Sequence, residues 1–310
     1  MTILLLETIA PEAYQLLQAG GSIVLLNGFE NNYDSDVLHN VDAIITRGIG
    51  KVTADLINTC PNLKVIARCG VGLDNIDVRH ATACQIKVVN APGSNAATVA
   101  EHTIALMLML QRNLYQAVSD VKKGNWAARN TFVSDEVGGK TIGILGLGNI
   151  GFRVARIAEA LGMTVVYWSK SKKNVSYQYV SQAQLLAMAD VISVHLELNA
   201  QTQNLINVDA LLCVKPTAIL INTARGQLID KVALLNALNT GQLAGYGADV
   251  PTSPPPHSTD PLIVHPKTLI TAHVSSLTAA TYRNMCVQTV KNVLAILHNK
   301  PPQANCIFNL

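Results

Sequence analysis

An α/β fold with two parallel-sheet domains is predicted by three features of the sequence. Short apolar runs alternate with helical patterns, the alternation restarts at Thr141, and a glycine-rich turn follows the strand at that restart. Short apolar runs joined by helices imply parallel strands covered on both faces. In the first half the strands are Ile3–Leu6, Ile23–Leu26, Ala43–Thr46, Lys64–Ala67 and Val88–Val89. A long helix follows from about Ala97 to Arg112, continuing toward Tyr115, with Gly124 in the break after it. The second half supplies Thr141–Leu145, Thr164–Trp168, Val191–His195, Ala218–Asn222, Ala244–Ala248 and Leu269–Thr271, then a helix from about Leu277 to Leu297. Two sheets joined by long helices fit this order better than one uninterrupted sheet. The run Pro251-Thr-Ser-Pro-Pro-Pro-His257 is a loop, because its prolines remove donors and fix φ.

Composition narrows the function classes. The 310 residues make about two domains, and 49% hydrophobic with 14% charged residues excludes a disordered chain. Lys plus Arg at 23 against Asp plus Glu at 20 gives +3, too slight and too scattered for a nucleic-acid surface. Met1 to Glu7 has no basic start and no small-residue cleavage site, so no signal peptide is expected. The greasiest stretch, Ile104–Leu110, is far short of the roughly 20 residues of a membrane span and reads as buried helix. Cys60, Cys69, Cys84, Cys213, Cys286 and Cys306 show no metal-type pairing, so no metal is expected. Most should be small apolar packers in a reducing, cytoplasmic setting.

The sharpest motif is Thr141-Ile-Gly-Ile-Leu-Gly-Leu-Gly-Asn-Ile-Gly151, a GxGxxG placed directly after a strand and opening a helix. Gly146 permits the tight turn, Gly148 lets backbone approach a pyrophosphate, and Gly151 lets helix and strand pack closely. The N–H groups of the helix start, at Asn149 and Ile150, would face the phosphates. An NAD site expects an acid about 20 residues further on; here Ser169 stands there, beside Lys170 and Lys172. Ser169 and Ser171 as donors and the lysines as charges favour NADP(H), with NAD(H) also accommodated.

Two reactive side chains follow strands of the same half. Arg225 follows Ala218–Asn222 and Thr223, and His273 follows Leu269-Ile-Thr-Ala272. A doubly wound sheet binds ligands outside the strand carboxyl ends, where an arginine can clamp a carboxylate and a histidine can move a proton. Gly70 and Gly72 bracket Val71 after another strand, so successive N–H groups can converge as an anion nest.

These residues resemble the D-isomer-specific 2-hydroxyacid dehydrogenase family over nearly the whole chain. The matching segments are Arg68–Asp77, Asn90-Ala-Pro-Gly93, Val99-Ala-Glu101, Gly146–Gly151, Asn222–Asp230, Gly247-Ala-Asp249-Val and Thr271-Ala-His273. The resemblance implies a Rossmann-type nucleotide-binding domain, residues 98–279, inserted into a flavodoxin-like substrate domain, 1–97 plus 280–310. It implies that Val71 and Gly72 cradle a substrate carboxylate, that Arg225 binds carboxylate and C2 oxygen, and that His273 is the acid–base. It also places Thr98 and Asp249 on the cofactor side, Asp249 near the nicotinamide carboxamide. Thr223 is assigned to the cofactor as well, and His195, which closes a strand, reads as a packing or cofactor-side histidine. It implies a homodimer with the long Ala97-region helix and neighbouring segments in the interface. The NADP-like turn and the Pro-rich loop resemble the glyoxylate/hydroxypyruvate reductase branch, so a small 2-keto or 2-hydroxy acid is the expected substrate.

One departure stands out. The family places a glutamate five residues after the position of Asp249, pairing with the histidine; here that position is Pro254. The nearest carboxylate in the loop is Asp260, which could take the place of the missing acid. Without an anionic partner, His273 should spend less time protonated near neutrality. A competing expectation follows: a dinucleotide-binding regulator with little turnover.

Overall fold

The computed structural model describes residues 1–20, the backbone of 22–25, and residues 38–252 and 255–309. Two compact units form: Met1–Asn95 with Leu277–Leu310, and Ala96–Ser276. Among the described residues no helix is long and apolar enough to cross a membrane.

The first unit holds β1 (Thr2–Leu5), β2 (Ser22–Leu25), β3 (Val41–Thr46), β4 (Val65–Arg68) and β5 (Lys87–Val89) in the order β2-β1-β3-β4-β5, all parallel. This is the flavodoxin-like order, reversing direction between β1 and β3. Strand alternation sends side chains to two covered faces. Ile3, Leu5, Ile45 and Ala67 pack with Leu17 of the Pro11–Gly20 helix and with Cys286, Val290 and Val293 of the Ala279–Leu297 helix. Leu4, Ile44, Ile66 and Val88 pack on the other side with Leu56, Ile57 and Ala81. The chain end is tied to β5: Ile307 bridges Val89, and the Asn309 side chain accepts from Val88 N–H and donates to the Ile86 carbonyl.

The second unit holds β6 (Thr141–Leu145), β7 (Thr164–Trp168), β8 (Gln178–Tyr179), β9 (Val191–Val194), β10 (Ile219–Asn222), β11 (Gly245–Ala248) and β12 (Thr268–Ile270). Their order, β12-β11-β10-β9-β6-β7-β8, is the Rossmann arrangement with one further strand, and it reverses between β6 and β9. Ile142 and Ile144 face Ile104, Met107, Val154 and Ala158, while Val194 and Leu220 face Leu185, Leu234 and Leu238.

The strands thus lie where the apolar runs place them, within two residues. Leu26, in the expected second strand, lies outside the described residues. The two-residue β8 carries no apolar run, and both its residues are exposed. The long helix needs correction: it runs Ala96–Gln111 and stops, and a separate helix, Leu114–Lys122, begins after Asn113 at φ 47°. Asparagine tolerates the left-handed region, so the chain turns there although the pattern reads as helix. Of the cysteines, Cys60, Cys69, Cys286 and Cys306 are buried, while Cys84 and Cys213 are exposed.

Candidate active site

The glycine turn is built at the reversal of the second sheet. Gly146 donates to the Trp168 carbonyl and His195 N–H to the Leu145 carbonyl, stitching the turn to both neighbouring strands. Gly146 has φ +99°, and a Cβ there would lie 2.5 Å from the His195 carbonyl oxygen. A Cβ on Gly151 would run into the Gly146 carbonyl. Gly148 is the contrast, since nothing lies within 4 Å of the Cβ it lacks. It starts the Asn149–Ala160 helix without any side-chain cap, leaving first-turn N–H groups at an open helix end. A close-packed turn beside open space at an uncapped helix start fits a dinucleotide pyrophosphate.

The end of β7 carries the serine and the lysines that the sequence singles out. The Ser169 side chain is buried, and its hydroxyl donates to the Ser171 carbonyl at 2.8 Å. Lys173, absent from the expected set, reaches Ser171 Oγ at 3.3 Å. Lys170, Lys172 and Lys173 are exposed, and Trp168 to Tyr177 contains no carboxylate. His195 places Nε2 at 2.8 Å from the buried Ser193 hydroxyl, and burial pulls its imidazole down to about 3, so the ring stays neutral.

Arg225 is set by Asn222, fully buried at the end of β10. The Asn222 amide donates to the Arg225 carbonyl at 2.8 Å and accepts from Ala224 N–H at 3.0 Å, closing a tight turn. Thr103 gives its proton to the Val99 carbonyl, so the buried Thr223 donates to Thr103 across 2.8 Å. Gly226 cannot carry a side chain, because a Cβ would sit 2.6 Å from the Pro251 carbonyl oxygen. The loop after β11 therefore packs directly on the arginine turn. Thr98 is buried in the first turn of the Ala96–Gln111 helix.

His273 follows β12, exposed and in the left-handed region at φ 56°. Asp249 holds that conformation. Its enclosed carboxylate accepts from the Thr271 hydroxyl and Val274 N–H through Oδ1, and from Ser275 N–H through Oδ2. The family resemblance implies a place for Asp249 beside a cofactor; in the structure its carboxylate anchors the residues flanking His273. Burial alone would raise its pKa, but the bonds from Ser275, Thr271 and Val274 outweigh it and hold the carboxyl below its usual value. Behind Thr271 stands His102, with Nε2 at 2.9 Å from the Thr271 hydroxyl and 3.7 Å from Asp249 Oδ1. Because Thr271 gives its proton to Asp249, His102 Nε2 is the donor to Thr271. Asp260 is otherwise engaged: Oδ2 pairs with Lys231 Nζ at 2.6 Å, and Oδ1 caps the Pro261–Val264 helix through Leu262 N–H. Pro254 lies outside the described residues.

In the first unit, the loop after β4 turns its carbonyls inward. Ala91 N–H takes the Gly70 carbonyl, the Asn90 amide takes that of Val71, and the Arg68 guanidinium takes that of Gly72. Among the described residues no acceptor meets the N–H groups of Val71 and Gly72. Their carbonyls are thus engaged while these two N–H groups are left to other acceptors. A cavity of about 420 Å³ in the second unit, lined by Lys140, Asp190, Thr217 and Lys267, opens at the amino ends of the strands and away from these side chains.

A sheet reversal, an open glycine turn, and an arginine and a histidine at strand carboxyl ends define a nucleotide-binding α/β protein of dehydrogenase type. The family described as D-isomer specific 2-hydroxyacid dehydrogenase, NAD binding domain, matches residues 104–275. A hydroxypyruvate reductase of Thermotoga maritima is 36% identical over 289 residues, covering 91% of this chain and 94% of that protein. A D-3-phosphoglycerate dehydrogenase of Bacillus subtilis is 38% identical over 271 residues and 86% of this chain, which spans only about half of it, 51%. The structure of an NADPH-dependent glyoxylate/hydroxypyruvate reductase from Sinorhizobium meliloti, 29% identical, superposes with a TM-score of 0.90 over 99% of this chain and 98% of that one. This chain belongs to the D-isomer-specific 2-hydroxyacid dehydrogenase family.

The Asp249 anchor gives a stability test. Asp249→Asn keeps the shape but sets an amide donor against the loop donors, which should cost about 1–3 kcal/mol. A carboxylate with a lowered native pKa contributes stability above its ordinary pKa of about 4, and that contribution is lost as pH falls through the native value. The Tm gap between the two chains should therefore be full at pH 7 and narrow on acidification. A gap independent of pH would contradict a charged anchor.

Proposed function

We propose that this chain reduces a small 2-keto acid to its D-2-hydroxy acid, with NADP(H) preferred over NAD(H), and catalyses the reverse oxidation. The observation that carries the reading is the placement of Arg225 and His273 after β10 and β12 of the sheet that bears the open glycine turn. When bound, the dinucleotide supplies the hydride that reaches C2. Arg225 presents its fork to the carboxylate and C2 oxygen, stabilising charge that develops on that oxygen. His273 gives the oxygen its proton, and in oxidation removes it. The N–H groups of Val71 and Gly72 are assigned a share of the carboxylate. Gly146, Gly148, Asn149, Ile150 and Gly151 are assigned to the pyrophosphate. Thr98, Thr223 and His195 are assigned to the cofactor side, His195 as a neutral ring.

Glyoxylate and hydroxypyruvate are the proposed substrates, in line with the relatives that match at full length. The six free cysteines suit a reducing cytoplasm. Assays of NADPH oxidation with these two acids test the reaction. Arg225→Lys keeps charge but loses the fork, and kcat/KM should fall about ten- to thousand-fold, roughly 1.4–4 kcal/mol, with cofactor affinity little changed. His273→Ala should lower kcat by about 10²–10⁴-fold. Dinucleotide binding without turnover across a panel of keto acids would instead favour a regulatory protein.

The NADP(H) preference rests on the three lysines after β7 and the lack of a carboxylate among them. Ser169→Asp should weaken NADPH binding at least tenfold relative to NADH in paired titrations at one salt concentration. Equal or tighter NADH binding by the unmodified chain would refute the preference.

A homodimer is proposed from the Leu114–Lys122 helix. None of its residues is buried, and Leu114, Tyr115, Val118 and Val121 leave a large apolar face exposed. Light scattering should give twice the chain mass, and Val118→Asp with Val121→Asp should return it to the monomer. A monomeric unmodified chain at tens of micromolar would exclude this interface.

A further inference from the structure

Two consecutive residues of one helix reach both turns that carry the reactive side chains. The Ala96–Gln111 helix opens the second unit and packs on β10, β11 and β12. Ile104, Leu106 and Met107 are buried in one core with Ile219 and Ile221 of β10. Gly247 of β11 lets the helix come close, since a Cβ there would lie 3.0 Å from Leu110 Cδ1 and 3.4 Å from Leu106 Cβ. Close packing of this kind makes the helix a fixed platform against the strands whose ends bear Arg225 and His273.

Just ahead of that apolar contact stand His102 and Thr103. His102 Nε2 donates to the Thr271 hydroxyl at 2.9 Å. That hydroxyl donates to Asp249 Oδ1 at 2.5 Å, and the same carboxylate takes the N–H groups of Val274 and Ser275. A hydroxyl that accepts on one side and donates on the other links His102 to Asp249 in a chain whose bonds polarise one another. Thr103 is buried, and its oxygen, fixed by donation to the Val99 carbonyl, accepts from the Thr223 hydroxyl at 2.8 Å. Thr271 lies two residues before His273, and Thr223 two residues before Arg225. Successive helix side chains diverge by about 100°, so neighbours in sequence can serve loops of two different strands. The helix backbone needs neither bond, so both side chains are spent on the two turns.

We propose that His102 and Thr103 are positioning residues for the reaction, His102 setting the loop of His273 and Thr103 the turn of Arg225. This rests on the reading that Arg225 binds the keto acid and His273 moves its proton. The C2 oxygen must meet the guanidinium and the imidazole at once, and one helix holding both turns keeps those groups in register. The two residues differ in the fault their loss produces. A slackened His273 loop leaves the anion bound but misaligns proton transfer, which lowers kcat. A slackened arginine turn loosens the grip on the carboxylate, which raises KM.

The test uses the full chain with NADPH and hydroxypyruvate. His102→Leu removes the donor to Thr271 and should lower kcat about ten- to a hundredfold, with KM and the Kd of NADPH within about threefold. His102→Gln, whose amide N–H has a similar reach, should recover most of the loss. Thr103→Val keeps the shape but removes the acceptor for Thr223; it should raise KM, and the inhibition constant of oxamate, about tenfold. Thr103→Ser should restore both. Without turnover, amide hydrogen exchange at Val274 and Ser275 should quicken at least tenfold in His102→Leu and stay slow in Thr103→Val. Full kcat in His102→Leu, the same split between kcat and KM in both variants, or failure of glutamine and serine to rescue would overturn the proposal. If the unmodified chain reduces no keto acid, the functional reading fails by itself, and exchange at Val274 and Ser275 still decides whether His102 holds the loop.

Discussion

Loops at the carboxyl ends of these parallel strands are held by buried polar side chains that bind the backbone of the following turn. A parallel ladder stops at the strand end, and each N–H beyond it must find another acceptor or face water. Here Asn222, Asp249 and Glu7 supply those acceptors. Each is enclosed between elements, so the turn it binds has little freedom to wander. The reactive groups are carried by the turns so fixed.

Two of these acceptors are carboxylates, and burying a charge is costly unless donors replace its lost water. Asp249 and Glu7 are each met by several N–H or O–H groups, enough to keep both ionised against desolvation. The gain is preorganisation. His273 sits in a backbone conformation that most residues avoid, and the bonds from Thr271, Val274 and Ser275 to Asp249 hold it there. His102 extends this network through Thr271, so the long helix is coupled to the loop that carries the histidine.

The glycines show the same economy of space. Gly146, Gly151 and Gly226 are forced by backbone that approaches too closely for a side chain, whereas Gly148 borders open room. One motif thus combines closure and access: two glycines lock the turn to its neighbours, and the third leaves the helix start open to a phosphate. The arginine turn is locked in the same manner, with the Pro251 backbone seated on Gly226.

The amino-acid sequence by itself determined the strands, their parallel arrangement, the glycine turn and the strand-end positions of Arg225 and His273. Those features are written in local patterns: apolar runs of strand length, glycines at fixed spacing, and residues next to a run's end. Only the tertiary structure decided the partners of Glu7, which lie some forty residues away, and of His102, separated by 169 residues from Thr271. It likewise gave the Ser169 hydroxyl the Ser171 carbonyl as its partner and ended the long helix at Gln111. The physical reason is common to all but the last: a polar side chain's function is set by which donors and acceptors the fold brings to it, and sequence spacing carries no record of that. The helix ends where Asn113 takes a left-handed conformation, a choice its apolar pattern does not encode.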